Sequence, residues 1–185
     1  MIGLKRHTVE LTCHSNSWLA YGRARCGVLR DACQLFPCEI QHVGSTSVPG
    51  LSAKPIIDLV IGLPSMADFE SVKGALDKLG YIYRGIGSGS VGHLFILESA
   101  PEIRTEHLHV VPADGEQWLS YVQFRDSLRS SPKLVKEYAA LKQSLRDQFP
   151  NDRKKYTAGK AAFIQAVLAA EQGGSSEPLT GAPCA

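Results

Sequence analysis

The sequence predicts an α/β (α+β) fold: a mixed sheet flanked by helices, followed by a C-terminal helical region. Three observations predict it. Residues 55–63 are dominated by Ile, Leu and Val, as a strand covered on both faces requires. Shorter strand-like runs surround that segment, separated by turn signals and one amphipathic helical stretch. From about Glu116 onward the apolar period is wholly helical. A chain of 185 residues, 44% apolar and 21% charged, can bury one sizeable core, so residues 1–171 are expected to form a single domain.

Trp18, Gly22, Cys26, Leu29 and Cys33 recur at helical spacing after a capping Ser15-Asn16-Ser17, which predicts a helix from about Ser17 to Gln34. Pro37 breaks the pattern. Glu39–Val43 reads as a short strand delivering a Gly44-Ser45 turn, and residues 55–63 as the central strand. Ser65 to Asp68 resembles a capping box, Phe69, Val72, Leu76 and Leu79 form an apolar stripe, and Gly80 supplies a stop. Residues 81–84, 93–98 and 106–111 read as strands, the latter two paired as a hairpin. Three helices follow on the stripes Trp118 to Leu128, Leu134 to Phe149 and Tyr156 to Leu168, separated by Pro132 and Pro150. Residues 172–185 lack periodicity and are rich in Gly, Ser and Pro, which predicts a disordered tail.

Twenty basic and 18 acidic residues give a net charge of +2. They are spread along the chain, which gives no electrostatic case for a nucleic-acid or membrane partner. No uncharged run approaches the roughly 20 residues of a membrane helix, and the first residues lack a signal-peptide pattern, so a soluble cytoplasmic protein is expected. The cysteines Cys13, Cys26, Cys33, Cys38 and Cys184 are odd in number and lack CxxC spacing, which supports neither a disulfide framework nor a zinc ribbon. Cys26 and Cys33 share a helix face as core residues. His7, Cys13 and His14 fit no common metal spacing. The oligomeric state is left open.

The stretch His42–Leu63 carries the most chemistry. Gly44, Ser45, Thr46 and Ser47 offer a close-approach backbone with hydroxyl donors, and Lys54 supplies a point charge suited to phosphate. Asp58 interrupts Ile56, Ile57, Leu59, Val60 and Ile61. A desolvated carboxylate without a partner is costly, so Asp58 implies a cation, a donor cluster or a divalent metal nearby, or else a structural role beside Lys54 or a turn. His107 and His109 occupy alternate strand positions, so both imidazoles leave one face. That geometry suits metal ligation, donation to a phosphate, or plain bonding to polar neighbours. A metal held there would be Mg, Mn or Zn, with nitrogen ligands favouring Mn or Zn. Gly87 to Gly92 matches GxGxxG, but the following His93–Leu97 reads as a strand, so the expectation is a flexible loop able to cover the site. GxxxxGK[ST] is absent, which excludes a P-loop kinase.

The run from His42 to Asp58 resembles the signature of the GrpB-like proteins. Val9 to Leu11 with Trp18, then His107–Val111, Phe124 to Asp126, Tyr138–Lys142 and Tyr156–Ile164, follow in that family's order. The resemblance covers roughly residues 8 to 170. It implies a nucleotidyltransferase-like fold in which the Gly-Ser turn holds nucleotide phosphates and acids on neighbouring strands hold divalent metal. It also places Arg125, Lys142 and Lys160 in recurring motifs, where they would wall an anionic ligand. Val60 departs from the pattern, because the fold's motif carries a second acid there, and two-metal transfer needs several carboxylates. The function implied is binding of a nucleoside triphosphate and divalent cation, with nucleotidyl or phosphoryl transfer to a small acceptor. Asp58 would hold metal and His107 or His109 would complete its shell or act as base. The rival expectations are a degenerate member binding a nucleotide or phosphorylated metabolite, including one of coenzyme A metabolism, and a protein-interaction module.

Overall fold

The computed structural model describes residues 2–86 and 92–174. Six strands form one sheet: β1 (Leu4–Lys5), β2 (Glu39–Val43), β3 (Ile57–Leu63), β4 (Ile82–Ile86), β5 (His93–Ala100) and β6 (Ile103–Pro112). Their spatial order is β2-β3-β6-β5-β4, with β1 beside the start of β6. β3 and β6 run parallel and the other pairs antiparallel, so the sheet is mixed as expected, and β5 and β6 form the expected hairpin. The two-residue β1 has too few residues to carry a period, and the sequence pattern missed it.

Helices α1 (Asn16–Ala32) and α2 (Phe69–Lys78) pack on one face, over Ile57, Leu59, Ile61, Leu108 and Val110. Ser15 caps α1 through its hydroxyl on Ser17 N–H, and Gly22 lets the helix lie against the His42 ring, which a Cβ there would meet at 2.2 Å. Glu106, fully buried on this face, accepts from Tyr21 Oη at 2.6 Å and from Tyr81 Oη, and pairs with Arg25 Nε at 2.9 Å. Cys26 and Cys33 are core residues, as predicted.

α3 (Glu116–Ser130), α4 (Pro132–Gln148), α5 (Arg153–Ala158) and α6 (Ala161–Gly174) gather over the opposite face. The third predicted helix is thus two. Gly159 ends α5 by donating to Lys155 O, and a Cβ at that glycine would come 2.4 Å from Leu145 Cδ2, so its bareness admits α5 against α4. α6 continues to Gly174, past the predicted end at Glu171; residues 175–185 and the Gly87–Val91 loop lie outside the described residues. No described helix is long and apolar enough to cross a membrane.

Candidate functional site

The sheet register builds the site. Asp58 on β3 pairs with His107 on β6 and with Val43 on β2, and Val60 pairs with His109, so Asp58, His107 and His109 share the face beneath the helical layer. β2 ends at Gly44, whose φ of 68° lies in the left-handed region. A Cβ there would stand 2.6 Å from Asp58 Oδ2, so glycine is needed for conformation and for close approach alike. A short 3-10 turn, Ser45–Ser47, follows. Between this turn, the sheet and α3–α6 lies a cavity of about 370 Å³.

The predicted residues divide. Gly44, Ser45, Thr46, Lys54, Asp58, His107, His109, Lys142 and Lys160 line the cavity. Ser47 and Arg125 do not. Ser47 Oγ donates to Gly44 O at 2.6 Å and closes the turn from behind. Arg125 is buried under β2, donating to Gln41 Oε1 and His42 O at 3.0 and 3.1 Å and forking onto Asp126, so it anchors α3 to the strand. Its neighbour Arg129 similarly holds Ser47 O. Arg153, which the sequence reading missed, enters the cavity from α5 and donates to His107 Nε2 at 2.8 Å.

Hydrogen bonding assigns the His107 tautomer. A guanidinium only donates, so His107 Nε2 accepts, and Nδ1–H points to Asp58 Oδ1 at 3.0 Å. Tyr121 Oη, which accepts from Gln117 Nε2 at 3.3 Å, shares a hydrogen bond of 3.1 Å with His109 Nδ1. Burial pushes both imidazoles below their ordinary range, His109 to about 4, so both are neutral at pH 7. Burial raises the Asp58 carboxyl, but the His107 bond and nearby cations outweigh it and hold Asp58 at about 2.

The opposite wall is cationic. Lys142, 2% exposed, donates to Ser45 Oγ at 3.0 Å and to Ser52 O, and lies 4.8 Å from the Tyr138 ring centroid. Lys160 and Lys54 lie 5.0 and 5.4 Å from the Tyr156 ring centroid. Lys54 Nζ has no hydrogen bond or ion pair among the described residues, Asp58 included. Burial, reinforced by Arg153 and Lys160, lowers Lys54 to about 7; burial and Lys160 do the same to Lys142. Lys160 and Arg153 are shifted downward too.

A family model of GrpB protein matches residues 8–170. The chain belongs to the GrpB family. It is 32% identical to the glutamate-rich protein GrpB of Alkalihalophilus pseudofirmus, covering 91% of this chain and 98% of that protein, and 33% identical to a UPF0157 protein of Pseudomonas aeruginosa, covering 92% and 71%. The crystal structure of GrpB from Enterococcus faecalis superposes with a TM-score of 0.79 at 28% identity, over 91% of this chain and all of that one. A more distant likeness in fold links this GrpB-family chain to nucleotidyltransferase-like proteins. The Cid1 poly(U) polymerase with Mg and 3′-dATP bound gives a TM-score of 0.52 at 15% identity, over 80% of this chain and 49% of that one. The GLD-2/RNP-8 complex gives 0.52 at 13%, over 80% and 58%.

The donor set of this GrpB-family site fits a resident metal poorly. Among the described residues Asp58 is the one carboxylate lining the cavity, and no group of three His, Cys, Asp or Glu could hold a metal ion. His7, Cys13 and His14 form no such group either. Both nitrogens of His107 are engaged, and His109 Nδ1 is bonded to Tyr121 Oη. Val60, where the fold's motif would place a second acid, is fully buried against Val43, Val111 and Trp118 and does not line the cavity, so a carboxylate there would lie in an apolar cluster.

Proposed function

We propose that the cavity binds the phosphates of a nucleotide or comparable phosphorylated small molecule and neutralises them with the protein's own cations. The charge imbalance carries this reading: Lys54, Lys142, Lys160 and Arg153 face one carboxylate, and the Lys54 ammonium is desolvated with no hydrogen bond or ion pair among the described residues. Desolvated like charges are unfavourable until an anion joins them, so phosphate binding relieves a cost built into the site. The cavity falls within the usual range for small-molecule sites, roughly 300–1,000 Å³. Tyr121, Phe124 and Ile164 give it an apolar flank suited to a base or similar ring. The likeness in fold to Cid1, solved with 3′-dATP, supports a nucleotide.

Nucleotidyl or phosphoryl transfer to a small acceptor is the second reading, favoured by the Asp58–His107 pair on the cavity floor. It requires Arg153 to release His107 Nε2, the lone pair a general base would use. The protein-interaction reading has less support, because Leu119 is the exposed large hydrophobic on the described α3–α6 layer.

A thermal-shift screen of nucleotides and coenzyme A precursors, with and without Mg, Mn and Zn, tests the proposal. A ligand at a hundredfold excess over Kd adds about 2.7 kcal/mol to native stability. A flat response to every compound would overturn the phosphate site.

A further inference from the structure

The cations continue beyond the cavity. Arg153, bonded to His107, lies within electrostatic reach of Arg6, and Arg104 lies within reach of Arg153, Arg6 and Arg84. Arg6 and Arg104 meet where β1 joins β6, and the exposed Arg84 acts on Arg104 from the edge strand β4. Leu4 pairs with Arg104, and Arg6 N–H donates to Glu102 O at 2.9 Å. The β5–β6 register passes from Leu97 opposite Glu106 to Glu98 opposite Arg104, leaving Thr105 unpaired. Such a bulge puts Arg104 on the His107 side of the sheet instead of the Glu106 side.

The outer cluster is as unbalanced as the inner one. Arg6 Nε and Arg104 Nε are buried without hydrogen-bond partners. Glu98 stands 3.7 Å from Arg104 Nε, while Arg6 and Arg84 have no ion pair among the described residues. Planar guanidinium groups drawn together with Glu98 as their one carboxylate partner among the described residues suit a multidentate oxyanion such as a phosphoryl group.

We infer that Arg6, Arg84 and Arg104 form a second phosphoryl subsite, continuous with the cavity, and that the ligand is a molecule with two separated phosphoryl groups. The near group meets Lys54, Lys142 and Lys160. The far group meets the guanidinium cluster, roughly 10 Å along β6 at a strand rise of about 3.3 Å per residue. This rests on the phosphate-binding role proposed for the cavity.

The test is calorimetric titration of inorganic phosphate and of linear tetraphosphate, which is long enough to span both places. The proteins are wild type, Arg104→Gln and Arg6→Gln. Wild type is expected to bind tetraphosphate at least tenfold more tightly than phosphate. Each variant should lose at least fivefold for tetraphosphate while keeping wild-type affinity for phosphate. Should Arg104→Gln fail to fold, Arg84→Gln on the edge strand β4 takes its place with the same expectation. Unchanged tetraphosphate affinity in the folded variants, or no advantage of tetraphosphate in wild type, overturns the subsite and leaves the cavity reading standing. Failure of wild type to bind either anion overturns both.

Discussion

Two buried carboxylates lie on opposite faces of this sheet, and their surroundings differ in kind. Glu106, facing α1, is met by one guanidinium and two phenols and has no opening to solvent. Asp58, facing α3–α6, has 34% of its side chain open toward a cavity walled by Lys54, Lys142, Lys160 and Arg153. The first cluster is closed and near charge balance, so its charges serve the fold. The second carries surplus positive charge beside empty space, and that surplus is what an anionic ligand would meet. A buried ion pair alone is thus weak grounds for a functional site; imbalance next to a cavity is stronger.

The comparison breaks first at Glu106. Glu106→Ala strands Arg25 beside two phenols, and a loss of about 3 kcal/mol is expected in urea unfolding, with phosphate affinity at folded temperatures unchanged. A loss of affinity instead would join the two clusters into one. Gly44→Ala comes next. Its left-handed backbone and the approach to Asp58 together predict a cost of about 1–3 kcal/mol, and loss of ligand binding as the turn moves. Wild-type binding in a folded Gly44→Ala protein would remove the turn from the site.

Lys54→Ala should separate the roles most cleanly. Removing an unpartnered, desolvated ammonium should leave the melting temperature unchanged or raised, while phosphate affinity falls at least tenfold and its salt dependence weakens. A sharp drop in melting temperature with affinity intact would make Lys54 a structural residue like Arg25.

What the sequence made legible follows from how locally each feature is encoded. The turn Gly44–Thr46, Lys54 and Asp58 lie in one continuous stretch, and β3 and β6 carry their cavity-facing residues at strand spacing. Hence Asp58 could be placed on one strand and His107 with His109 on one face of another, while the adjacency of the two strands is implied by the GrpB resemblance and not by their spacing. Arg153 could not. It lies far along the chain from His107 and opens a basic run, Arg153 to Lys155, that reads as an ordinary solvated helix start. Ser47 is expected at the ligand for its hydroxyl and Arg125 through the motif of the GrpB resemblance, but each is spent on a backbone carbonyl that the folded chain brings within reach. The split between α5 and α6 depends on a glycine against Leu145, a contact that periodicity does not encode.

The smallest expected effect is on pH dependence. Lys54 and Lys142 sit near 7 in the folded protein against an ordinary 10.5, so above pH 7 the unfolded chain binds more protons than the native state. Stability of the ligand-free protein should therefore rise from about pH 7 toward pH 10, and Lys54→Met should flatten that slope in urea titrations at pH 7, 8 and 9. An unaltered slope in the variant would mean that Lys54 titrates normally. Asp58 contributes at the other end: held at about 2, its stabilisation is complete above its ordinary value of 3.8 and is lost as pH falls through about 2.

The most direct measurement is calorimetric titration of ATP into the wild-type protein in EDTA and in Mg, at pH 6.5 and 8.5. A site that neutralises phosphate with its own lysines and arginine binds ATP in EDTA. It takes up protons on binding at pH 8.5, and it binds more weakly there than at pH 6.5, because Lys54 and Lys142 must be recharged. Binding that arises only with Mg, or no binding under any of these conditions, would contradict it.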